Sequence, residues 1–304
     1  MPNNFLTGAS GYLGKIILSK LIGETTTLGR THLGTNHIKS DLSNIPTFNK
    51  KFNAVIHNAG KAHVVPKTEK EKRAFFTVNF EGTVNLLDAL SANPPDNFIF
   101  ISTIATYGLN HGENVSEKHV CNPNTPYGQS KFKAEESLIH WAEKNKVNYY
   151  VLRLPLVVGH NPPGNLGAIK NAISKGYYFK IKNNISRKSM VLADDVADLI
   201  KVIIETNNYP SGIYNLTDGI HPTFNEVELA IEKRKNAKSL SLSFPIVKAI
   251  SRVGDLLSKL NLPSPLNSTR LNKMTSTLTF DDSKARKELN WNPNPVIPFI
   301  QENL

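Results

Sequence analysis

Cysteine is almost missing from this 304-residue chain, and the single one, Cys121, excludes an internal disulfide and suits a reducing compartment. It lies in the loop-like stretch HVCNPNTP without a base beside it, which predicts an inert thiol. Long apolar runs are absent too. No run nears the ~18 residues that read as a transmembrane helix, and the first residues pass directly into a strand-like run, so no membrane span or signal peptide is expected and the protein is placed in the cytoplasm. Acidic residues are scarce beside basic ones, 25 against 36, for a formal charge of +11. The basic residues are dispersed and accompany no helix-turn-helix, zinc or RNA-binding motif, so nucleic acid is not the expected partner. No internal repeat or low-complexity tract occurs, which excludes a repeat architecture.

What is present begins with TGASGYLG at residues 7–14, set between the apolar Phe5-Leu6 and the amphipathic series Leu13, Ile16, Ile17, Leu21. Gly8, Gly11 and Gly14 fit a strand-to-helix turn in which a dinucleotide pyrophosphate approaches the backbone and meets helix N-terminal N–H groups. Strand-like runs (FLT, TTTL, AVIH, FIFIS, YYVLRL) then alternate with helical ones up to about residue 160. That alternation predicts an α/β fold, a Rossmann-type doubly wound parallel sheet covered on both faces. The link between the second and third strands is too short for a full crossover helix. Residues 1–163, rejoined by 190–217, are assigned to the dinucleotide-binding domain. Residues 164–189 and 218–304 are assigned to a smaller, mostly helical substrate lobe.

In PYGQSK, Tyr127 and Lys131 stand one helical turn apart before the strongly helical AEESL, with Pro126 at the helix start. Tyr178 and Lys182 share the spacing, but GYYFKIKN alternates like a strand, so nothing is brought together there. A phenol with a pKa near ~10 is a poor acid-base group at neutral pH. An ammonium a turn away favours its phenolate.

These motifs together resemble the extended branch of the short-chain dehydrogenase/reductase superfamily, the nucleotide-sugar epimerases, dehydratases and reductases. The resemblance also covers Asp41-Leu42, HNAG at 57–60, VNFEGTVNLL at 78–87, FIFISTIATYG at 98–108, LRLPLVVG at 152–159, KSMVLADDVA at 188–197 and KARKELNWNPNP at 284–295, where Asn290 replaces the usual glycine. It implies a catalytic set of Thr103, Tyr127 and Lys131, with Ser102 as the competing partner to Thr103. Cofactor contacts are implied at Gly8, Ser10, Gly11, Tyr12, Leu13, Gly14, Asp41, Leu42, Asn58, Ala59, Gly60, Asn79 and Pro155, besides Tyr127 and Lys131. Members preferring NAD carry an acid after the second strand. Here TTTLGR supplies none, and Arg30 suits a 2′-phosphate, so NADP(H) is favoured with NAD as the alternative.

For substrate, the resemblance implies Asn165-Leu166 along a nucleotide diphosphate, Arg187 and Arg270 as its clamps, and Lys61 and His63 lining the pocket. His63 lacks carboxylate or cysteine neighbours and is no metal ligand. The favoured reading is an NADPH-dependent reductase acting at C4 of a UDP-4-keto-6-deoxy-hexosamine for surface polysaccharide synthesis. A UDP-sugar (UDP-glucose or UDP-GlcNAc) 4-epimerase is the alternative, and a non-catalytic dinucleotide sensor a distant one that the intact catalytic set opposes. Ile104-Ala105, where dehydratases carry an acid pair, argue against dehydration. A homodimer is left open. In 246–260, Ile246, Val247, Ile250, Val253, Leu256, Leu257 and Leu260 share a face; the expectation is a helix covering the smaller lobe rather than one lying on a membrane.

Overall fold

Phe5, Leu6, Val55, Ile56, Phe98, Ile99, Val151 and Leu152 are all fully buried, which requires strands covered on both faces. The computed structural model describes residues 2–304 except 32, 63, 207, 261, 263 and 265. In chain order its elements are β1 (Asn3–Thr7), α1 (Tyr12–Lys20), β2 (Glu24–Gly29), β3 (His37–Lys39), β4 (Ala54–His57), α2 (Glu69–Phe75), α3 (Gly82–Leu90), β5 (Asn97–Thr103), β6 (Gly112–Val115), α4 (Pro126–Asn145), β7 (Asn148–Leu154), β8 (Leu156–Val158), α5 (Gly164–Ser174), β9 (Phe179–Ile181), β10 (Met190–Leu192), α6 (Ala193–Thr206), β11 (Gly212–Asn215), α7 (Phe224–Lys235), β12 (Leu240–Leu242), α8 (Phe244–Lys259), α9 (Ser268–Thr275), β13 (Leu278–Phe280), α10 (Ser283–Leu289) and α11 (Val296–Asn303).

Seven parallel strands pair in the order β3-β2-β1-β4-β5-β7-β11. Because side chains alternate across a strand, Leu6, Ile56, Ile99 and Tyr150 meet α1 and α6 on one face. Phe5, Val55, Phe98 and Val151 meet α3 and α4 on the other. Between β2 and β4, residues 30–53 hold no helix among the described residues, as expected, but they do hold the short strand β3, which was not foreseen. The order reverses between β1 and β4, and ligands of open α/β sheets bind at such a switch point, beyond the strand C-termini.

Beyond β7 the chain builds two further cores, one from Leu166, Ile173, Val227, Ile231 and Ile300, the other from Ile181, Val247, Leu266 and Leu271. The parallel pairs β8–β10, β9–β12 and β6–β13 were not anticipated from the sequence. Trp291 is buried and donates Nε1–H to the Thr217 carbonyl at 2.9 Å, tying the closing motif under the sheet. Asn290 ends α10 in the left-handed conformation at φ 53°, a role asparagine fills next best to glycine.

Candidate active site

The turn after β1 has the geometry that its glycines suggested. Gly8 has φ +72°, and a Cβ there would come within 2.6 Å of the Ala59 nitrogen; a Cβ on Gly14 would reach 2.0 Å from the Gly8 carbonyl oxygen. Both positions are closed to side chains by backbone. At Gly11 a Cβ would meet only the Gly8 oxygen, at 3.2 Å, and otherwise open space. No side chain caps α1 and no acid lies in its first turn, so its first N–H groups face that space unpaired by side chains. This is a cradle fitted to a phosphate group. Ser10 is exposed beside it, whereas Leu13 and Leu42 are buried in the two sheet cores, so only their backbone can face a ligand. The Tyr12 phenol is buried without a partner, close to where a Gly159 side chain would be.

The loop after β4 is held against this cradle from three sides. Asn58 Nδ2 donates to the Gly8 carbonyl at 3.1 Å, the Ala59 N–H to Thr7 Oγ1 at 3.2 Å, and the Lys61 N–H to Asn79 Oδ1 at 2.6 Å. Asn79 also donates Nδ2 to the Lys61 carbonyl at 3.1 Å and to Ser130 Oγ at 3.0 Å, linking that loop to α4. It sits in a π-helical turn, Phe76–Glu81, which ends with the Gly82 N–H bonded to the Thr77 carbonyl. Such turns are rare and gather at functional sites. Beneath the loop, Thr83 Oγ1 donates to the Asn79 carbonyl at 2.6 Å and so accepts from His57 Nε2 at 2.9 Å. His57 Nδ1 then accepts from Thr7 Oγ1 at 2.6 Å. One neutral tautomer satisfies the whole chain. Burial, reinforced by the nearby Lys131 charge, pushes the His57 imidazole down to about 3. His57 was not foreseen as a supporting residue, although its place in HNAG marks it.

Thr103 ends β5, where its Oγ1 accepts the Ala105 N–H at 3.2 Å and begins the short helical turn Ile104–Tyr107. Thr125 caps α4 by accepting the Gly128 N–H at 3.1 Å, with Pro126 in the first turn, which sets Tyr127 and Lys131 on one face. A Cβ on Gly128 would lie 2.5 Å from the Ala105 carbonyl oxygen, so its missing side chain lets α4 press on the Thr103 turn. The Thr103 hydroxyl stands on the side of the Tyr127 phenol and favours its ionised form. Ser102 points to the opposite face of the strand and donates to Glu135, whose carboxylate pairs with Arg153 at 2.6 Å in full burial. Ser102, the alternative left open by the sequence, is thus engaged by Glu135.

Burial raises the Tyr127 phenol and Thr103 lowers it. Lys131 follows one helical turn later on α4. Its ammonium lies 3.7 Å from the centre of the Phe100 ring, and burial, opposed by Glu135, brings it down to about 7. Phe75 packs edge-on against the Tyr127 ring with centroids 6.2 Å apart and takes the Lys61 ammonium over its face at 5.6 Å. Lys61 and Tyr127 thus share the Phe75 ring. His63 lies outside the described residues. Pro155 is half-buried after β7, and Asp41 is exposed, its carboxylate held below the usual range by hydrogen bonds from Ser43 and, less, by Arg30. Cys121 fits its inert reading, since burial raises the thiol.

The substrate-side residues fare differently. Leu166 is a core residue packed with Ile173 and Val227, and Asn165 is exposed in the first turn of α5. Arg187 is exposed and donates Nη1 to the His221 carbonyl at 3.0 Å, while Arg270 donates Nη1 to the Ser264 carbonyl at 2.8 Å. A cavity of about 340 Å³ is lined instead by Asn110, Thr269, Asn272, Lys273 and Ser276. Thr269, Asn272 and Lys273 share one face of α9 at helical spacing, Ser276 follows its C-terminus, and Arg270 falls off that face. Lys188, next to Arg187 but on the other side of its extended segment, reaches the Ser276 carbonyl with Nζ at 2.5 Å. Burial and then the Lys273 charge bring Lys188 down to about 8. Lys273 in this lining, with Lys188 held beside it on Ser276 and no carboxylate among the lining residues, suits an anion. Among the described residues, no His, Cys, Asp and Glu group could hold a metal.

A sheet of this order, a phosphate cradle at its switch point and a Thr-Tyr-Lys set beside it define a dinucleotide-dependent enzyme class. The NAD dependent epimerase/dehydratase family model matches residues 5–217, and the chain belongs to that family. It is 27% identical over 294 residues to an N-acetyl-alpha-D-glucosaminyl-diphospho-ditrans,octacis-undecaprenol 4-epimerase of Escherichia coli O157:H7, covering 93% of this chain and 88% of the relative. It is 26% identical over 315 residues to a UDP-glucose 4-epimerase of Vibrio cholerae, covering 96% and 92%. The solved UDP-Glc/GlcNAc 4-epimerase of Campylobacter jejuni shares the fold with a TM-score of 0.77 at 21% identity, covering 100% of this chain and 98% of that one.

Proposed function

We propose that the chain oxidises and reduces C4 of a hexose carried on a diphosphate, with 4-epimerisation as the net reaction. The reading is carried by the Tyr127 phenol set beside Thr103 and one turn from Lys131, next to the dinucleotide cradle. It is supported by relatives across most of the chain whose names specify 4-epimerases of UDP-glucose and of a lipid-diphosphate-linked N-acetylglucosamine. What those two substrates share is a hexose on a diphosphate.

In this reading Gly8, Gly11, Gly14 and the Asn58–Gly60 loop hold the pyrophosphate and ribose, Asp41 meets the adenine, and Lys131 meets the nicotinamide ribose. The bound dinucleotide supplies a hydride acceptor and donor for C4. Tyr127 takes the proton from the 4-hydroxyl and returns it, Thr103 hydrogen-bonds the same oxygen, and Asn79 fixes the loop on which the reacting groups rest. Lys131 as ammonium, one turn away on α4, would favour the Tyr127 phenolate. Lys273, with Lys188 beside it, meets the substrate diphosphate. The sheet domain binds cofactor, and the segments 164–189 and 218–304 bind substrate.

One observation favours a second reading, net reduction of a 4-keto sugar by NADPH: β2 is followed by the exposed Arg30 and by no acid. Mass spectrometry of the dinucleotide retained through purification separates the two. Epimerisation requires the cofactor to stay and predicts bound NAD. An empty site that takes up NADPH tenfold more tightly than NADH would reverse the order of the readings.

A further inference from the structure

α8 is seated the opposite way to the expectation from its pattern. Its inward residues are the small or modest Val247, Ser251 and Gly254. A Cβ on Gly254 would lie 1.7 Å from the Leu266 carbonyl oxygen, so the helix is pressed against that segment through this narrow side. The large apolar residues face out: Ile246 is 51% exposed, Val253 59%, Leu256 60% and Leu260 62%, with Ile250 between them and Phe244 and Leu262 extending the stripe. A stripe of this length on a soluble surface marks an interaction site.

Charge indicates what covers it. Lys248, Arg252 and Lys259 are exposed along the helix beside the stripe. Its one acid, Asp255, is turned to the start of α9, where Ser268 donates its N–H at 2.9 Å and its hydroxyl at 2.5 Å to the carboxylate. The outward surface is therefore apolar and basic. A second copy meeting it about a two-fold axis would set like charges against each other with no acid on the helix to compensate. An anionic lipid surface complements both components, the stripe entering the acyl boundary while the long basic side chains reach the headgroups.

We propose that α8 docks the protein on the surface of an anionic membrane without spanning it. Among the described residues no helix is long and apolar enough to span. α8 packs on α9, whose other face lines the lysine-bearing cavity, so docking holds that cavity one helix away from the lipid. The proposal does not depend on which C4 reaction the site performs.

The test is flotation of the full chain with vesicles of phosphatidylglycerol, with phosphatidylcholine vesicles for comparison. Wild type is expected to float with the former. Val253→Ser with Leu256→Ser should lower partitioning by about tenfold per side chain. Lys248→Ser, Arg252→Ser and Lys259→Ser together should lower it by about fivefold each, on phosphatidylglycerol alone. All these positions are exposed, so melting temperature and dinucleotide binding should hold. Wild type that stays with the soluble fraction, or apolar variants that float as it does, would overturn the proposal. So would a wild-type particle twice the mass of the Val253→Ser/Leu256→Ser variant, which would give the face to a second copy.

Discussion

Replacing Gly128 by alanine should separate Thr103 from Tyr127 while leaving the dinucleotide cradle intact. The added Cβ would lie 2.5 Å from the Ala105 carbonyl oxygen and 3.2 Å from the Pro123 Cβ, and moving the first contact to an ordinary 3.4 Å needs about 0.9 Å of displacement. The obstacle is backbone, which cannot rotate aside, so the start of α4 must shift away from the turn that Thr103 begins. A misplacement of ~1 Å at reacting groups costs on the order of 10²-fold in rate. Overpacking costs about 1–3 kcal/mol of stability, offset in part by the roughly 1 kcal/mol by which alanine exceeds glycine in a helix. Turnover of a UDP-sugar at C4 should fall about a hundredfold, with NADH or NADPH affinity by fluorescence titration within about threefold of wild type. Wild-type turnover in the alanine variant, whatever its melting temperature, would refute the claim that this close approach assembles the reacting pair.

Glu135→Gln leaves the Arg153 guanidinium charged in full burial and frees Ser102, so urea denaturation should show a loss of about 3–5 kcal/mol; a loss under 1 kcal/mol would remove the pair from any structural role. His57 in the folded state binds its proton only near pH 3 against about 6.5 when unfolded, so stability should decline as pH falls between those values, by at most roughly 1.4 kcal/mol per unit. His57→Gln should flatten that slope, and an unchanged slope would show that other groups produce it. Lys188→Ala should weaken UDP by about 1.5–3 kcal/mol in calorimetry, roughly 10- to 150-fold, while Arg187→Ala changes little. Wild-type UDP affinity should also fall as pH rises through about 8, where the Lys188 ammonium deprotonates; the reverse ranking of the two variants would return the clamp to Arg187.

β1, β4, β5 and β7 were legible because fully buried parallel strands read as short apolar runs, whereas the three-residue β3 was not, and α4 was legible because capping, proline and spacing agree at its start. The cradle was legible because backbone contact at Gly8 and Gly14 leaves no alternative residue. Side-chain direction in short segments was not. Arg187 and Lys188 occupy two isolated bridges rather than a strand, so no alternation in the sequence fixes which of them turns towards α9. Arg270 is one residue from Thr269 yet off the lining face of α9. Leu166 was read as a ligand contact although Ile169 and Ile173 follow it at helical spacing, the pattern of a core stripe. The π-helical turn at Asn79 depends on a shifted hydrogen bond that propensity does not encode. The orientation of α8 defeated its pattern because Gly254 and Ser251 allow a closer approach than its leucines.

Proton NMR of a UDP-hexose incubated with the protein as purified, and with its Tyr127→Phe variant, tests the proposed C4 chemistry most directly. The account predicts that wild type, without added reductant, converts the sugar to its C4 epimer, and that the variant does so at least ~10²-fold more slowly with its dinucleotide still bound. Epimerisation by Tyr127→Phe at the wild-type rate would contradict the assignment of the phenol as the proton-transfer group.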